Sequence, residues 1–181
     1  MIRGLVLAGG KSSRFGRDKA LESFQGGKTL LDISIDLVKS AGLEPVVVTR
    51  QDTSRSISDG IVIHDKLLDR GPLGGIHSAQ IEFPETDFLV LTCDMPWVSL
   101  ETLFHLLQHP QRSADVCIYQ VAGCDQPFPG LYRHTSHQVL LERLSSNDRS
   151  MRGFLSAVNC ERLMWEGDPK VFGNVNRPTD V

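Results

Sequence analysis

The sequence has no long hydrophobic run, few cysteines and no excess of basic residues, and each absence excludes a class of protein. No stretch approaches the roughly 20 apolar residues of a membrane-spanning helix, and no signal peptide is recognised after Met1. The four cysteines lack CxxC spacing and are too few for a disulfide scaffold, which predicts a reduced, cytoplasmic protein. A net charge of −3 and a pI near 6.0 argue against binding to nucleic acid or a membrane surface.

Three common cofactor motifs are absent or incomplete. No GxGxxG follows the first predicted strand, which disfavours a dinucleotide redox cofactor. The segment Gly26-Gly27-Lys28-Thr29 is similar to the end of a P-loop, but Glu22 stands where that motif needs glycine, so we interpret it as a turn entering a helix. His105 and His109 have the i, i+4 spacing of a zinc pair but lack HExxH and a third ligand, which favours a solvent-facing helix surface.

What is present indicates an α/β protein. Hydrophobic residues make up 40% of the 181 residues and charged residues 23%, which suits one domain over residues 1–181 with its own core. Short, continuously apolar segments alternate with helical patterns, and this alternation predicts a mostly parallel sheet covered by helices on both faces. The predicted strands are 2–7, 46–49, 61–63, 88–92 and 116–119; beyond Gln126 a strand near 131–132, helices over 134–144 and 150–158 and a closing segment over 171–176 follow.

The first predicted strand leads into Ala8-Gly9-Gly10 and then into four cations within nine positions, among them Arg14 and Lys19. Glycine lets the backbone approach a ligand closely, and successive N–H groups in such a loop form a concave anion site. Lysine and arginine add positive charge. A solvated surface loop is the alternative for an isolated Gly-Gly, but strand, glycines and cations together predict a polyphosphate site.

Two carboxylates follow later strands: Asp65 ends the third and Asp94 the fourth. Ligands of open α/β sheets bind beyond the carboxyl ends of the strands, so we expect both to lie near the first loop. Asp94 suits Mg²⁺, which prefers few carboxylates together with phosphate oxygens. The alternatives are a cap for the helix after Pro96 and, for Asp65, a turn former. His64 and His77 also fall near this edge, with substrate contact the less favoured interpretation for each, and Cys93 is expected to be a packed small residue.

A polyphosphate site beside a metal-binding carboxylate suggests nucleotidyl transfer. Lys19 and Arg14 would offset charge as the bond between the α- and β-phosphates breaks. An attacking phosphate is already ionised, so it needs positioning more than it needs a general base. This is consistent with a sequence that offers no evident Ser-His-Asp or Cys-His arrangement.

Five segments resemble, in order, the motifs of the molybdenum cofactor guanylyltransferases, a family within the nucleotidyltransferases of sugar-nucleotide type. They are LAGGKSSRFGRDK (7–19), GPLGGI (71–76), CDMP (93–96), QPFPGLYR (126–133) and NVNRP (174–178). The resemblance covers nearly the whole chain. It implies a Rossmann-like three-layer α/β/α sandwich and a reaction, requiring Mg²⁺, that transfers GMP from GTP to the phosphate of Mo-molybdopterin and releases pyrophosphate.

The resemblance also implies roles for individual residues. Leu7, Ala8 and Gly9 would hold the nucleotide through backbone groups, Lys19 would contact its phosphates and Arg14 would support the triphosphate. Asp65 would lie near the guanosine, Asp94 would bind both nucleotide and Mg²⁺, and Asn176 would be a second metal or cofactor contact. Gly10 completes the candidate nucleotide site.

Three positions depart from the family pattern. Phe15 stands where methionine is usual, Thr49 where some members place a nucleotide-contacting asparagine, and Arg177 where threonine is common. A related transferase that uses CTP or another phosphorylated acceptor, and a non-catalytic nucleotide-binding protein, are the alternatives. We expect a monomer. Its protein partners would be those that supply or receive the molybdenum cofactor.

Overall fold

The computed structural model describes residues 1–9, 24, 27–50, 60–67, 69–108 and 113–175. The described strands are β1 (Ile2–Leu7), β2 (Pro45–Thr49), β3 (Ile61–His64), β4 (Asp87–Thr92), β5 (Val116–Val121), β6 (Cys124–Tyr132) and β7 (Cys160–Met164). The described helices are α1 (Leu30–Ser40), α2 (Gly71–Glu82), α3 (Leu100–Gln108), α4 (His137–Ser145) and α5 (Met151–Ala157), with short 3₁₀ turns at His134–Ser136 and Pro169–Phe172.

The seven strands form one sheet in the order β3-β2-β1-β4-β6-β5-β7. Strands β3, β2, β1 and β4 are mutually parallel, β6 is antiparallel to both β4 and β5, and β7 is parallel to β5. The parallel half places the carboxyl ends of four strands at the same edge of the sheet.

Helices cover both faces of this sheet, as the sequence predicted. Val6 and Leu91 belong to a buried cluster with side chains of α1 and α3, such as Val38. Leu5 and Val90 face the other way and are buried with side chains of α2, α4 and α5. Alternate residues of one strand therefore enter two separate cores, which is why these strands contain runs of consecutive apolar residues. The three-layer α/β/α sandwich is confirmed.

The described residues of the P-loop-like segment, 27–29, lead directly into α1. Thr29 caps the helix: its hydroxyl accepts from the N–H of Asp32 at 3.1 Å, and the carboxylate of Asp32 accepts from the N–H of Thr29 at 3.0 Å. The Nζ of Lys28 lies 2.6 Å from the carboxylate of Asp36. The interpretation as a turn entering a helix is confirmed, because Thr29 and Lys28 both serve the helix itself.

Two strands were not fully predicted from sequence. The prediction of a strand near 131–132 captured only the end of β6, because Pro127 and Pro129 within it cannot donate to a ladder. Strand β7 was missed because Glu161 and Arg162 interrupt its apolar pattern; it lies at the end of the sheet, where one side needs no partner strand. Among the described helices, none combines the length and apolarity needed to cross a membrane.

Candidate active site

The parallel half of the sheet brings the start of the first loop and the Asp94 turn together. Leu7 lies opposite Val48 of β2 and Thr92 of β4. Hydrogen bonding continues past the strands: the N–H of Ala8 donates to the oxygen of Val48 at 2.9 Å, and the N–H of Cys93 donates to the oxygen of Leu7 at 3.2 Å. The residues that follow, Gly9 and Asp94, therefore leave the sheet from adjacent strands at one edge.

These bonds refine the role predicted for the first loop. The N–H of Ala8 is committed to β2, so amides that bind an anion would have to begin at Gly9. The described atoms nearest to a Cβ built on Gly9 lie 3.6 Å away or farther, on Arg50 and Thr49. None of the described residues would therefore clash with a methyl group at Gly9. Gly10, Arg14 and Lys19 lie outside the described residues, and their contribution stays a prediction.

Asp65 has a demonstrable structural role. Its N–H donates to the oxygen of Thr49 at 2.8 Å, which places it directly after β3 at the same edge. One carboxylate oxygen, Oδ1, accepts from the N–H of Leu67 at 2.9 Å and from the hydroxyl of Ser78 at 3.2 Å. That hydroxyl also accepts from the N–H of Lys66 at 2.8 Å. Asp65 therefore forms the turn anticipated as its alternative role and ties β3 to α2, while its nucleotide contact stays a prediction.

The start of α2 packs closely against this edge because it is rich in glycine. A Cβ on Gly75 would lie 2.8 Å from Cδ2 of Leu7, and one on Gly74 would lie 3.2 Å from Oδ1 of Asp65 and 3.0 Å from the oxygen of Leu67. The side chain of Arg70, the N-cap residue, makes no capping hydrogen bond, and the first turn of the helix contains Pro72. The candidate site residues did not include this turn or Ser78, although the spacing Gly71-Pro72-Leu73-Gly74-Gly75 was a signal for it.

Asp94 is half-buried in the turn after β4. The N–H of Val175 donates to its backbone oxygen at 2.8 Å, which brings the C-terminal segment alongside; Asn176 follows immediately but lies outside the described residues. The helix after Pro96 is capped by Ser99, whose hydroxyl accepts from the N–H of Thr102 at 3.2 Å. The alternative role of Asp94 as that cap is therefore wrong.

The other candidates near the edge have local partners. His64 is exposed, and its Nδ1 lies 3.2 Å from the hydroxyl of the buried Thr49. His77 is buried on α2 and stacks on His137 of α4, with ring centroids 5.3 Å apart. Burial, followed by the charge of His137, lowers the pKa of His77. Cys93 is buried, as predicted.

The expectation for His105 was wrong. Its ring stacks on Tyr119 with centroids 5.7 Å apart, and its Nδ1 lies 3.0 Å from the tyrosine hydroxyl. Because that hydroxyl donates to the oxygen of Thr102 at 2.8 Å, it accepts from the His105 ring. His109 lies outside the described residues, and within the described ranges no group of three or more His, Cys, Asp or Glu could hold a metal. The half-buried Asp94 still suits Mg²⁺, which needs only one or two protein carboxylates when phosphates supply the rest.

Comparison with known proteins finds relatives that share the sequence pattern and the fold of this chain. The sequence matches the family described as MobA-like NTP transferase domain over residues 4–163. The chain belongs to this family. It is 34% identical over 182 residues to a Bacillus cereus protein named probable molybdenum cofactor guanylyltransferase, a match that covers 96% of this chain and 90% of that protein.

Two further similarities extend over nearly the whole chain. A Geobacillus protein of the same name is 29% identical over 191 residues, with 99% of this chain and 95% of that protein covered. The crystal structure of molybdopterin-guanine dinucleotide biosynthesis protein A from Archaeoglobus fulgidus superposes with a TM-score of 0.80 at 25% identity, covering 99% of this chain and 94% of that one. The resemblance stated from sequence motifs is therefore confirmed.

Proposed function

We propose that this member of the MobA-like NTP transferase family is a molybdenum cofactor guanylyltransferase. It transfers GMP from GTP to the phosphate of Mo-molybdopterin, which forms molybdopterin guanine dinucleotide and releases pyrophosphate. The observation that carries the proposal is the full-length similarity to relatives of that name. The hydrogen bonds that bring Gly9 and Asp94 to one edge of the sheet support the proposal, because a phosphate site and a metal-binding carboxylate would have to lie side by side.

The nucleotide is assigned to the edge above β1, β2 and β3. Its phosphates lie against the amides that begin at Gly9 and Gly10, with Lys19 and Arg14 balancing their charge. Leu7 and Ala8 lie beneath the phosphates, and their own hydrogen bonds to β2 and β4 hold them in place. Asp65 lies on the guanosine side, with one oxygen already fixed by Leu67 and Ser78.

In the transfer step, an oxygen of the acceptor phosphate forms a bond to the α-phosphorus of GTP. The bond from that phosphorus to the bridging oxygen of the β-phosphate breaks, and the electron pair leaves with pyrophosphate. Asp94 and, by resemblance, Asn176 would hold Mg²⁺, which when bound neutralises charge on the phosphate oxygens. Lys19 and Arg14 offset the negative charge that develops on the leaving group. No general base is required, because the attacking phosphate carries no proton that must be removed.

Several finer assignments belong to the same proposal. GTP is the nucleotide, Mg²⁺ is the cofactor, and the enzyme acts in the cytoplasm as a monomer without binding nucleic acid or membrane. Proteins that supply molybdopterin or receive the finished cofactor are its expected partners.

The test compares GTP, CTP and ATP as substrates of the purified chain. Wild-type protein with Mg²⁺ and Mo-molybdopterin is mixed with GTP, CTP or ATP, and both pyrophosphate and the dinucleotide product are measured. We expect product with GTP at a rate well above that with CTP or ATP. Product with CTP alone would replace the guanylyl assignment by a cytidylyl one. Nucleotide binding without pyrophosphate release from any of the three would indicate a non-catalytic binding protein.

A further inference from the structure

Trp97 is an exposed aromatic side chain beside the candidate active site. It lies three residues after Asp94 in the turn that leaves β4, and it exposes 41% of its surface. The large aromatic residues of the sheet core are instead fully buried, as Tyr119, Tyr132 and Phe88 show. A single exposed hydrophobic residue is common, so exposure alone does not indicate a binding site.

The indole of Trp97 is held in place on two sides. The ring of Phe24 meets it edge-on, with centroids 5.9 Å apart and planes inclined by 81°. On another side Gly173 approaches so closely that a Cβ there would lie 3.2 Å from Cε3 and 3.3 Å from Cζ3 of the indole. The side chain is thus fixed by its neighbours while two-fifths of its surface stays open to a ligand. A rigid, open aromatic surface loses little conformational entropy when a flat ring stacks on it.

The neighbours of Trp97 come from two other parts of the chain. Phe24 precedes α1, and its N–H donates to the oxygen of Lys28 at 2.8 Å. Gly173 lies two residues before Val175, whose N–H donates to the backbone oxygen of Asp94. Trp97 itself belongs to the Asp94 turn. Phe24, the Asp94 turn and the segment that ends at Val175 therefore meet around this indole.

The position of Trp97 in the sheet separates it from the guanosine side. Asp65 follows β3, whereas Trp97 follows β4, and β2 and β1 lie between these two strands. The acceptor must approach the α-phosphate from a direction different from that of the nucleoside. With the nucleoside assigned to the β3 end of this edge, the β4 end, where the indole lies, is left for the acceptor. The flat ring system that the acceptor carries is a pterin.

We infer that Trp97 stacks on the pterin ring of the acceptor and positions its phosphate for attack; this inference rests on the proposed function. Stacking of a flat heterocycle on an aromatic side chain accounts for about a tenfold change in affinity when the side chain is truncated to alanine. Trp97 binds substrate in this scheme and takes no part in bond making or breaking.

The kinetic test compares three variants. Trp97→Ala should raise the KM for molybdopterin about tenfold and leave the KM for GTP within about twofold of wild type. Trp97→Phe should recover much of the loss, because phenylalanine retains a flat ring. Phe104→Ala is the matched control, since Phe104 is an aromatic residue of α3 with a similar exposure of 39%. An unchanged KM for molybdopterin in Trp97→Ala, or an equal rise for GTP, would overturn the inference.

A binding measurement tests whether Trp97 stacks on a pterin without requiring turnover. The chain contains two tryptophans, so its NMR spectrum has two indole N–H signals, which Trp97→Phe assigns. Addition of 6-hydroxymethylpterin to the wild-type chain should shift the Trp97 signal and leave that of Trp165 in place. A shift in a protein that forms no dinucleotide would support the stacking and refute the proposed function. Dinucleotide formation without this shift would refute the stacking and leave the function intact.

Discussion

Replacing Gly9 with alanine tests whether glycine is needed at this position for stability or for nucleotide binding. The described atoms nearest to the new Cβ would be Cγ of Arg50 at 3.6 Å, the nitrogen of Arg50 at 3.7 Å and the carbonyl carbon of Thr49 at 3.8 Å. These are ordinary van der Waals separations, and the φ angle of Gly9 lies outside the left-handed region that favours glycine. We therefore expect the free energy of unfolding to change by less than about 1 kcal/mol.

Nucleotide binding should respond much more strongly than stability. If phosphates lie against the amide of Gly9, a methyl group there fills the space that they need. Inserting a methyl group into a close-packed contact costs about 1–3 kcal/mol, which corresponds to roughly 5-fold to 150-fold weaker binding. The measurement is the dissociation constant for GTP with Mg²⁺ by calorimetry, beside urea unfolding of the same sample. A Gly9→Ala chain that binds GTP as tightly as wild type would refute the assignment of phosphates to this amide.

Gly4 lies within β1, the strand that leads to Gly9, and serves as a control with the opposite expectation. A Cβ on Gly4 would overlap Cγ1 of the buried Val38 and lie 2.8 Å from its Cγ2, because α1 packs directly on β1 at this point. Gly4→Ala should therefore lower the free energy of unfolding by about 1–3 kcal/mol. The fraction that remains folded should still bind GTP normally. The two variants together would show that one glycine serves packing and the other serves the ligand.

Three further predictions concern catalysis, pH and thiol reactivity. Asp94→Asn should reduce dinucleotide formation at least about a hundredfold while urea unfolding stays cooperative, and near-normal turnover would remove Asp94 from the mechanism. Because burial lowers the pKa of His77, the unfolded chain takes up a proton near pH 6.5 that the folded chain does not; the free energy of unfolding should fall between about pH 7.5 and pH 5.5, and His77→Gln should flatten that slope. Ellman's reagent at pH 8 should modify the exposed Cys124 first and Cys117 last, since burial raises the pKa of Cys117 to about 12; rapid modification of Cys117 in a Cys124→Ser chain would contradict this.

The parallel half of the fold was predictable because its sequence signals are local. Strands β1, β2 and β4 each contain a run of three or four consecutive apolar residues, since alternate residues such as Leu5 and Val6 enter different cores. The convergence of Gly9 and Asp94 followed from a general rule: parallel strands end at one edge of the sheet. Their actual adjacency depends on register, with Leu7 opposite Thr92, which no local pattern specifies.

Features that depend on long-range packing could not be predicted from the sequence. His105 has the pattern of a surface histidine, but it stacks on Tyr119, which is fourteen positions later and belongs to a strand. No sequence pattern indicated a role for Ser78. That role depends on Asp65 and Lys66, which follow β3 and both hydrogen-bond to the Ser78 hydroxyl. Both cases involve a polar side chain whose partner lies in another element, so neither helical periodicity nor motif spacing could reveal it.

The double role of Asp65 determines what its variants can establish. In Asp65→Ala, the N–H of Leu67 loses its acceptor and the bond from Ser78 to Asp65 is lost, although the Ser78 hydroxyl keeps the oxygen of Gly74 at 2.8 Å; α2 would therefore lose part of its attachment to β3. Loss of activity in that variant would therefore not distinguish a missing nucleotide contact from a displaced helix. Asp65→Asn keeps a carbonyl oxygen at the Oδ1 position, removes the charge and replaces Oδ2 with an NH2 group. If Asp65 contacts the guanosine through its charge, the asparagine variant should retain wild-type stability and bind GTP more weakly, whereas a purely structural Asp65 predicts unchanged binding.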